Sequence, residues 1–176
     1  MSADPNVRLR RAKPDDLDFL VALTSHDEIS PFLAAGRDRT PDAITADLAR
    51  SEAEPGSFGL FVIEADGEPV GTVRFSVGNR RSAIADLTQL AIHPDAQGRG
   101  IATRASRELQ RHLIGELGFH RLQLEVYAFN DHALVHAERA GFRREGVRRK
   151  AYRHGDEWVD GILFGLIAED LEDARA

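Results

Sequence analysis

The 176-residue sequence contains no cysteine. That absence removes disulfides, thiolate-ligated zinc sites and any cysteine nucleophile, while leaving the redox compartment undetermined. Long apolar runs are missing too: none approaches the roughly 20 residues that span a bilayer, so no membrane partner is expected. The opening residues, Met1-Ser2-Ala3-Asp4-Pro5-Asn6, lack the basic start and apolar centre of a secretory signal, and a cytoplasmic protein is expected. No repeat, low-complexity tract or Pro/Ser-rich linker divides the chain, so residues 1–176 are read as one domain. Positive charge is in deficit. A net charge of −6 argues against general nucleic-acid binding and suits a cationic partner such as an amine, although solubility accounts for it equally well.

What is present is a globular composition, 42% hydrophobic and 30% charged, on a chain long enough to bury a substantial core. Val7 to Arg11 alternates weakly as a strand. Pro14-Asp15-Asp16 then starts a helix, with proline in the first turn, carboxylates near the positive end of the dipole, and Leu17, Leu20, Val21 and Leu23 facing inward. A second helix starts at Thr40 as N-cap, with Pro41 at its first position and Ile44 and Leu48 buried. Between them His26 to Arg39 is irregular, either a substrate-facing lid or a plain connector. Phe58 to Glu64 and Val70 to Val77 read as strands joined by a tight turn at Asp66-Gly67. Ile84 to Ile92 is a further strand. Ile101 to Leu117 has helical spacing at Ile101, Ala105, Leu109, Leu113 and Leu117, ended by Gly118. Leu122, Leu124 and Val126 mark another strand, Asp131 to Ala140 a short helix ended by Gly141, and Val147 to Arg153 with Trp158 to Leu166 a closing hairpin. The sum is an α+β fold with a mostly antiparallel central sheet covered by helices.

The strongest chemical signal is a strand ending at Ile92-His93-Pro94, a loop with Gly98 and Gly100, and then a long amphipathic helix. Glycines let backbone N–H groups approach phosphate oxygens, and the unpaired N–H groups of a first helical turn favour negative charge. A pyrophosphate fits such a loop, and Arg99 adds a cation for a further phosphate. A purely structural turn is the competing reading. A dinucleotide fingerprint would need a third glycine where Thr103 stands and a parallel βαβ unit, and a P-loop would need a following Gly-Lys-Ser/Thr; neither pattern is present.

Gln97-x-x-Gly100-x-Ala102, preceded by Leu90-Ala91-Ile92-His93-Pro94, resembles the acyl-CoA-binding signature of the GNAT superfamily of N-acetyltransferases. Asn130-x-x-Ala133 followed by Glu138-Arg139-Ala140-Gly141-Phe142 is similar to a second cofactor-contacting segment of that family. The closing segment, Glu145-Gly146-Val147-Arg148-Arg149 through Tyr152, Gly155-Asp156, Asp160 and Phe164-Gly165-Leu166, resembles the Rim-type branch, which acetylates ribosomal-protein N-termini, and the polyamine acetyltransferases. The resemblance covers roughly Phe58 to Leu166. It implies a GNAT-like sheet of about seven strands with about four helices, splayed at an acyl-CoA site. It also implies acetyl-CoA as donor, with the pantetheine arm bonded by backbone groups of Leu90, Ala91 and Ile92 and the pyrophosphate by Gln97, Gly98, Arg99, Gly100, Ile101, Ala102 and Thr103. Asn130 and Ala133 complete the cofactor set.

An alkylammonium with pKa near ~10 must lose a proton before it attacks a thioester. The oxyanion then needs preorganised donors, for which a backbone N–H near Leu90 to Ile92 is suited, and the thiolate needs an acid or a path to water. By its distance before Gln97, Asp86 matches the general-base glutamate of histone-acetylating relatives; a solvated or salt-bridged aspartate is the alternative. Gln89 can orient a water. In many relatives a tyrosine, the leaving-group acid, occupies the position matched by Ala137, and Ala133 replaces a serine common in the Rim-type branch. His136, Tyr127 or water can substitute for the acid, the alternative being a plain surface histidine and a core tyrosine.

The remaining histidines show no metal-ligand spacing, and no metal is expected. The basic run Arg143, Arg144, Arg148, Arg149, Lys150 and Arg153 suits nucleic acid less well than a solvated strand face. Ile162-Leu163-Phe164 is either a homodimer surface or core. The reading is therefore an acetyltransferase acting on a small amine, a polyamine or a peptide N-terminus by direct attack in a ternary complex, with a non-catalytic acyl-CoA-binding module as the alternative.

Overall fold

The computed structural model describes residues 5–33 and 39–173. Phe58–Ala65 (β2) is apolar at nearly every position because both of its faces are covered. Phe61, Ile63 and Ala65 enter one core cluster, and Phe58, Leu60 and Val62 enter another on the opposite face. It is joined to Glu68–Asn79 (β3) by Asp66 and Gly67, both at positive φ (55° and 90°), which matches the right-handed twist of a two-residue hairpin.

Val7–Arg11 (β1), β2, β3, Ile84–Ile92 (β4), Arg121–Tyr127 (β5), Arg143–His154 (β6) and Glu157–Ile167 (β7) form one sheet in the order β1-β2-β3-β4-β5-β7-β6. Every neighbouring pair is antiparallel except β4 with β5. Four helices of seven residues or more lie on the sheet among the described residues: Leu17–Thr24 (α1), Pro41–Ala53 (α2), Ile101–Gln110 (α3) and Asp131–Arg139 (α4). Ala168–Asp173 (α5) is the last element among the described residues. The expected α+β architecture, with a mixed sheet open at its middle, is the one observed.

Helices α1 and α2 cover one face. Thr40 caps α2 by accepting from Ala43 N at 3.3 Å, Pro41 takes the first helical position, and Ile44 and Leu48 are buried. At α1 the structure is more exact than the pattern: Pro14–Asp16 is a 3-10 turn, and the α-helix begins only at Leu17. Asp16 enforces that turn. Its carboxylate accepts from both terminal nitrogens of Arg10 (2.7 and 2.9 Å) and from Lys13 N (2.7 Å), and the Arg10 guanidinium holds the Asp16 carboxyl below the usual range.

Helices α3 and α4 cover the other face, and α3 departs from expectation. The regular helix stops at Gln110, and Arg111–Glu116 forms a π-helical turn before Gly118 at φ +75°. A strict four-residue repeat drifts by about 40° per step around an α-helix of 3.6 residues per turn. The wider π turn takes up that drift, so Leu113 stays fully buried beneath Ile101, Ala105 and Leu109. Strand β6 also begins four residues before the expected Val147, because Arg143 and Arg144 already pair with Gly165 and Phe164 ahead of a bulge.

Candidate active site

The site begins with a strand that leaves its neighbour. β4 and β5 pair at three positions only, Ile84 with Arg121, Ala85 with Leu122 and Asp86 with Gln123. Beyond that rung β4 stays zipped to β3 up to Ile92, and β5 stays zipped to β7 up to Tyr127, so the sheet forks. A bulge sits on the β4 arm. Thr88 opposes Arg74 and Ala91 opposes Thr72, so Gln89 and Leu90 together face Val73, with Gln89 at φ +55°. The extra residue switches the faces: Ala85 and Leu87 point to the α3 side before it, and Leu90 and Ile92 do so after it. Ala91 is thereby turned toward α1, where it packs with Leu23, Ile29 and Leu33.

At the end of the β4 arm a 3-10 turn, Pro94–Ala96, leads to the glycine loop. Gly98 and Gly100 hold φ +74° and +71°, and a Cβ at either would meet nothing within 4 Å, so glycine is required here by backbone conformation and leaves open space. Gly100 is the N-cap of α3 and supplies no side-chain cap, leaving the first-turn N–H groups of Ile101, Ala102 and Thr103 without one. Ile101 anchors the turn at 2% exposure, and Ala102 packs on the same core. Gln97, though exposed, turns back on the strand, its amide donating to Ile92 O at 2.9 Å, and so braces the loop. Arg99 lies exposed, with one terminal nitrogen 3.2 Å from Asp66 Oδ2 on the β2–β3 turn.

Asn130 caps α4 by accepting from Ala133 N at 3.2 Å, which sets that helix at the far end of the β5 arm. The two helices flanking the fork are tied together by Gln110 donating to Ala140 O at 2.8 Å and by Ser106 Oγ facing His136 Nε2 at 3.1 Å. Ala137 is 2% exposed and offers no polar group. Burial pushes the His136 imidazolium down, so this histidine is neutral at neutral pH.

Leu122, Leu124 and Val126 of β5 face the α3 core, so Gln123, Glu125 and Tyr127 alternate onto the α1 face. Asp86 is half-buried there, with Gln123 Nε2 donating to its Oδ1 at 2.6 Å. Glu125 is the first outward β5 residue past the fork point. Its Oε2 accepts from Tyr152 OH at 2.6 Å and lies 3.4 Å from Arg148 Nη1, while Oε1 is buried without a hydrogen bond. Burial and the Glu125 carboxylate raise the Tyr152 phenol, so Tyr152 stays a donor. Gly161 makes this possible, since a Cβ there would collide with Glu125 Oε1.

The sequence reading did not single out Glu125, Arg148 or Tyr152 as site residues. The available signal was a carboxylate alternating with Leu124 and Val126; what hid it was the fork, which depends on pairing between residues 37 apart in the chain, such as Asp86 and Gln123. The irregular segment before α2 proves built in part: Ile29 and Leu33 are buried on Ala91, and Ser30–Phe32 is a 3-10 turn, whereas Gly36 lies outside the described residues. Ile162 and Phe164 are core residues, so the apolar run of β7 is used internally. Arg143, Arg144, Arg148, Arg149, Lys150 and Arg153 are all exposed on β6, and Arg143, Arg144, Arg148 and Arg153 each lie against a carboxylate. Among the described residues no cluster of His, Asp and Glu is placed to hold a metal ion, and no helix is long and apolar enough to cross a membrane.

Residues 21–142 match the model of the Acetyltransferase (GNAT) family. A prophage-derived uncharacterised N-acetyltransferase of Bacillus subtilis is 25% identical over 167 residues, 95% of this chain and 93% of the relative. Spermidine N(1)-acetyltransferase of Escherichia coli K12 is 28% identical over 83% of this chain and 77% of its own. Among solved structures, RimJ of Mycobacterium smegmatis in complex with CoA-disulfide superposes with TM-score 0.80 at 25% identity, covering 94% of this chain and 83% of that one. Spermidine N-acetyltransferase of Vibrio cholerae with CoA and spermine gives TM-score 0.82 at 21% identity, covering 93% and 96%.

Proposed function

This chain belongs to the GNAT acetyltransferase family, and from that premise we propose that it transfers an acetyl group from acetyl-CoA to a primary amine by direct attack in a ternary complex. The observation that carries the reading is the fork between β4 and β5, opening onto a loop whose two glycines adopt left-handed φ. The residues present fit the donor. Open space over Gly98 and Gly100, with the uncapped N–H groups of Ile101, Ala102 and Thr103, suits a diphosphate, and Arg99 can exchange Asp66 for a further phosphate. Asn130 and Ala133 border the β5 arm. When bound, acetyl-CoA supplies a thioester carbonyl as the electrophile.

The chain's own groups do the rest. Along Leu90, Ala91 and Ile92 the margin of β4 that faces away from β3 has no β5 partner, so the main-chain groups there that Gln97 does not engage can hold an amide chain and donate toward a developing oxyanion. Two carboxylates stand on the acceptor side. Asp86 already accepts from Gln123; Glu125 keeps an unpartnered oxygen past the fork point, and we assign it the proton taken from the ammonium, with Asp86 as the second acid that draws the cation in. Gln89, on the bulge, orients a water for proton exit. Ala137 carries no acid, so the thiolate is protonated by solvent. That same alanine favours the second reading, an acyl-CoA-binding module without turnover.

The test is direct. The purified protein with acetyl-CoA and a panel of amines, polyamines and N-terminal peptides should release free CoA thiol, and calorimetry should show acetyl-CoA binding. Binding without thiol release across the panel leaves the regulatory module; absence of binding removes both readings.

A further inference from the structure

Next to the Tyr152–Glu125 hydrogen bond the chain assembles aromatic rings from separated segments. Phe32, from the turn after α1, lies 6.0 Å from Phe129, which follows β5. Phe129 stacks on Tyr127 at 5.3 Å, its planes 19° apart, and touches His154 of β6 at 4.6 Å. Tyr127 in turn meets Tyr152 edge-on at 5.3 Å, and Tyr152 holds Glu125. The turn bearing Phe32 therefore bridges the fork: Ile29 and Leu33 sit on Ala91 of the β4 arm, while Phe32 reaches the end of the β5 arm. Tyr127 is buried, yet Phe32 and Phe129 keep 45% and 38% of their surface exposed. The two exposed rings form a contiguous apolar patch that runs through Tyr127 and Tyr152 to a buried carboxylate, an arrangement that core packing alone does not require.

We propose that these rings are the acceptor wall, and that the acceptor is a primary amine attached to an aromatic or similarly flat apolar group; this rests on the acyl-transfer reading above. The ammonium pairs with the Glu125 carboxylate and the body of the molecule covers Phe32 and Phe129. Charge favours such a monocation over a linear polyamine. Glu125 Oε2 is occupied by Tyr152 and Arg148, Asp86 Oδ1 by Gln123, and Asp160 Oδ1 by the amide of Lys150. Arg148, Arg149 and Lys150 stand exposed on the same hairpin, where a second and third ammonium would be repelled.

The experiment compares kcat/KM for 2-phenylethylamine, n-butylamine and spermidine, by thiol release at saturating acetyl-CoA. The expected result is a preference of at least about tenfold for 2-phenylethylamine over both others. Phe129→Ala should remove about tenfold of kcat/KM for 2-phenylethylamine, chiefly in KM, and distinctly less for n-butylamine, whose short chain covers less of the ring, with acetyl-CoA affinity unchanged. Phe129→Leu, which keeps an apolar side chain, should lie between, and Phe32→Ala should repeat the pattern. Equal loss for both amines, or spermidine as the best acceptor, overturns the proposal. If no amine releases thiol, the acyl-transfer reading fails separately, and calorimetry of 2-phenylethylamine binding to the CoA-loaded protein decides the wall: binding weakened by Phe129→Ala sustains it, and no binding ends it.

Discussion

Gln123 donates its side-chain amide to the Asp86 carboxylate at 2.6 Å, across the last rung that β4 and β5 share. The two residues fasten the sheet where its arms begin to diverge, and the acid two residues farther along β5, Glu125, is left with an oxygen to spare. The division of labour between the acids is testable. Glu125→Gln should lower kcat by about 100-fold or more, the scale of a lost general base, with acetyl-CoA affinity within about twofold. Asp86→Asn should cost about tenfold. Steady-state kinetics with calorimetry check both, and equal losses would return the proton to Asp86.

At the glycine loop, Gly100→Ala meets no steric obstacle, only a φ of +71° that an alanine adopts at a cost of about 1 kcal/mol. The melting temperature should fall by a few degrees, while, under the proposed placement of the diphosphate, acetyl-CoA affinity drops much further because the new methyl fills the open space over the loop. Thermal melts and titration calorimetry separate the two effects.

Arg74 is 4% exposed on β3. It donates to Asp47 of α2 at 2.6 Å and to Thr88 Oγ1, next to the bulge, at 3.2 Å, while its other terminal nitrogen is buried without a partner. Arg74→Ala should destabilise the protein by about 3 kcal/mol, since it leaves Asp47 without this partner and a hole beside Phe58. Because Thr88 adjoins Gln89, turnover should fall even below the melting transition. Urea titration and kinetics on the same preparations test this.

Two groups give opposite chemistry but the same sign with pH. Asp16 is held low by Arg10, so its contribution is present above the ordinary carboxylate range and is lost as pH falls through the lowered value. Asp16→Asn should cost about 2 kcal/mol at pH 7 and progressively less in acid. His136 is pushed down by burial, so below its ordinary value near about 6.5 the unfolded chain binds the proton more readily and stability declines. His136→Gln should flatten urea midpoints between about pH 7.5 and 5, a window around the ordinary histidine value, relative to the parent protein.

Much of this was legible locally. Phe58 to Glu64 announces a strand, Asp66-Gly67 a tight hairpin, and Gly98-x-Gly100 a glycine loop ahead of a helix, because each pattern is set by neighbours in sequence. The four-residue spacing from Ile101 to Leu117 reads as a single helix, and the π turn that takes up its long period is seen only in the fold. The fork was not legible from composition or spacing. Nothing within Thr88 to Ile92 states that β5 will leave at Gln123, and only the family resemblance anticipated it. Glu125 and the Phe32–Phe129 contact stayed hidden for the same reason, since each depends on which faces distant segments present.

Past the Asp86–Gln123 rung the facing margins of β4 and β5 are, in effect, two sheet edges held inside a protein. Amide protons there should exchange quickly in the empty protein and slowly once a guest with its own peptide-like groups completes the ladder. Its melting temperature should accordingly climb with donor concentration, so that how firmly the chain holds its shape becomes a readout of how much donor the solution contains.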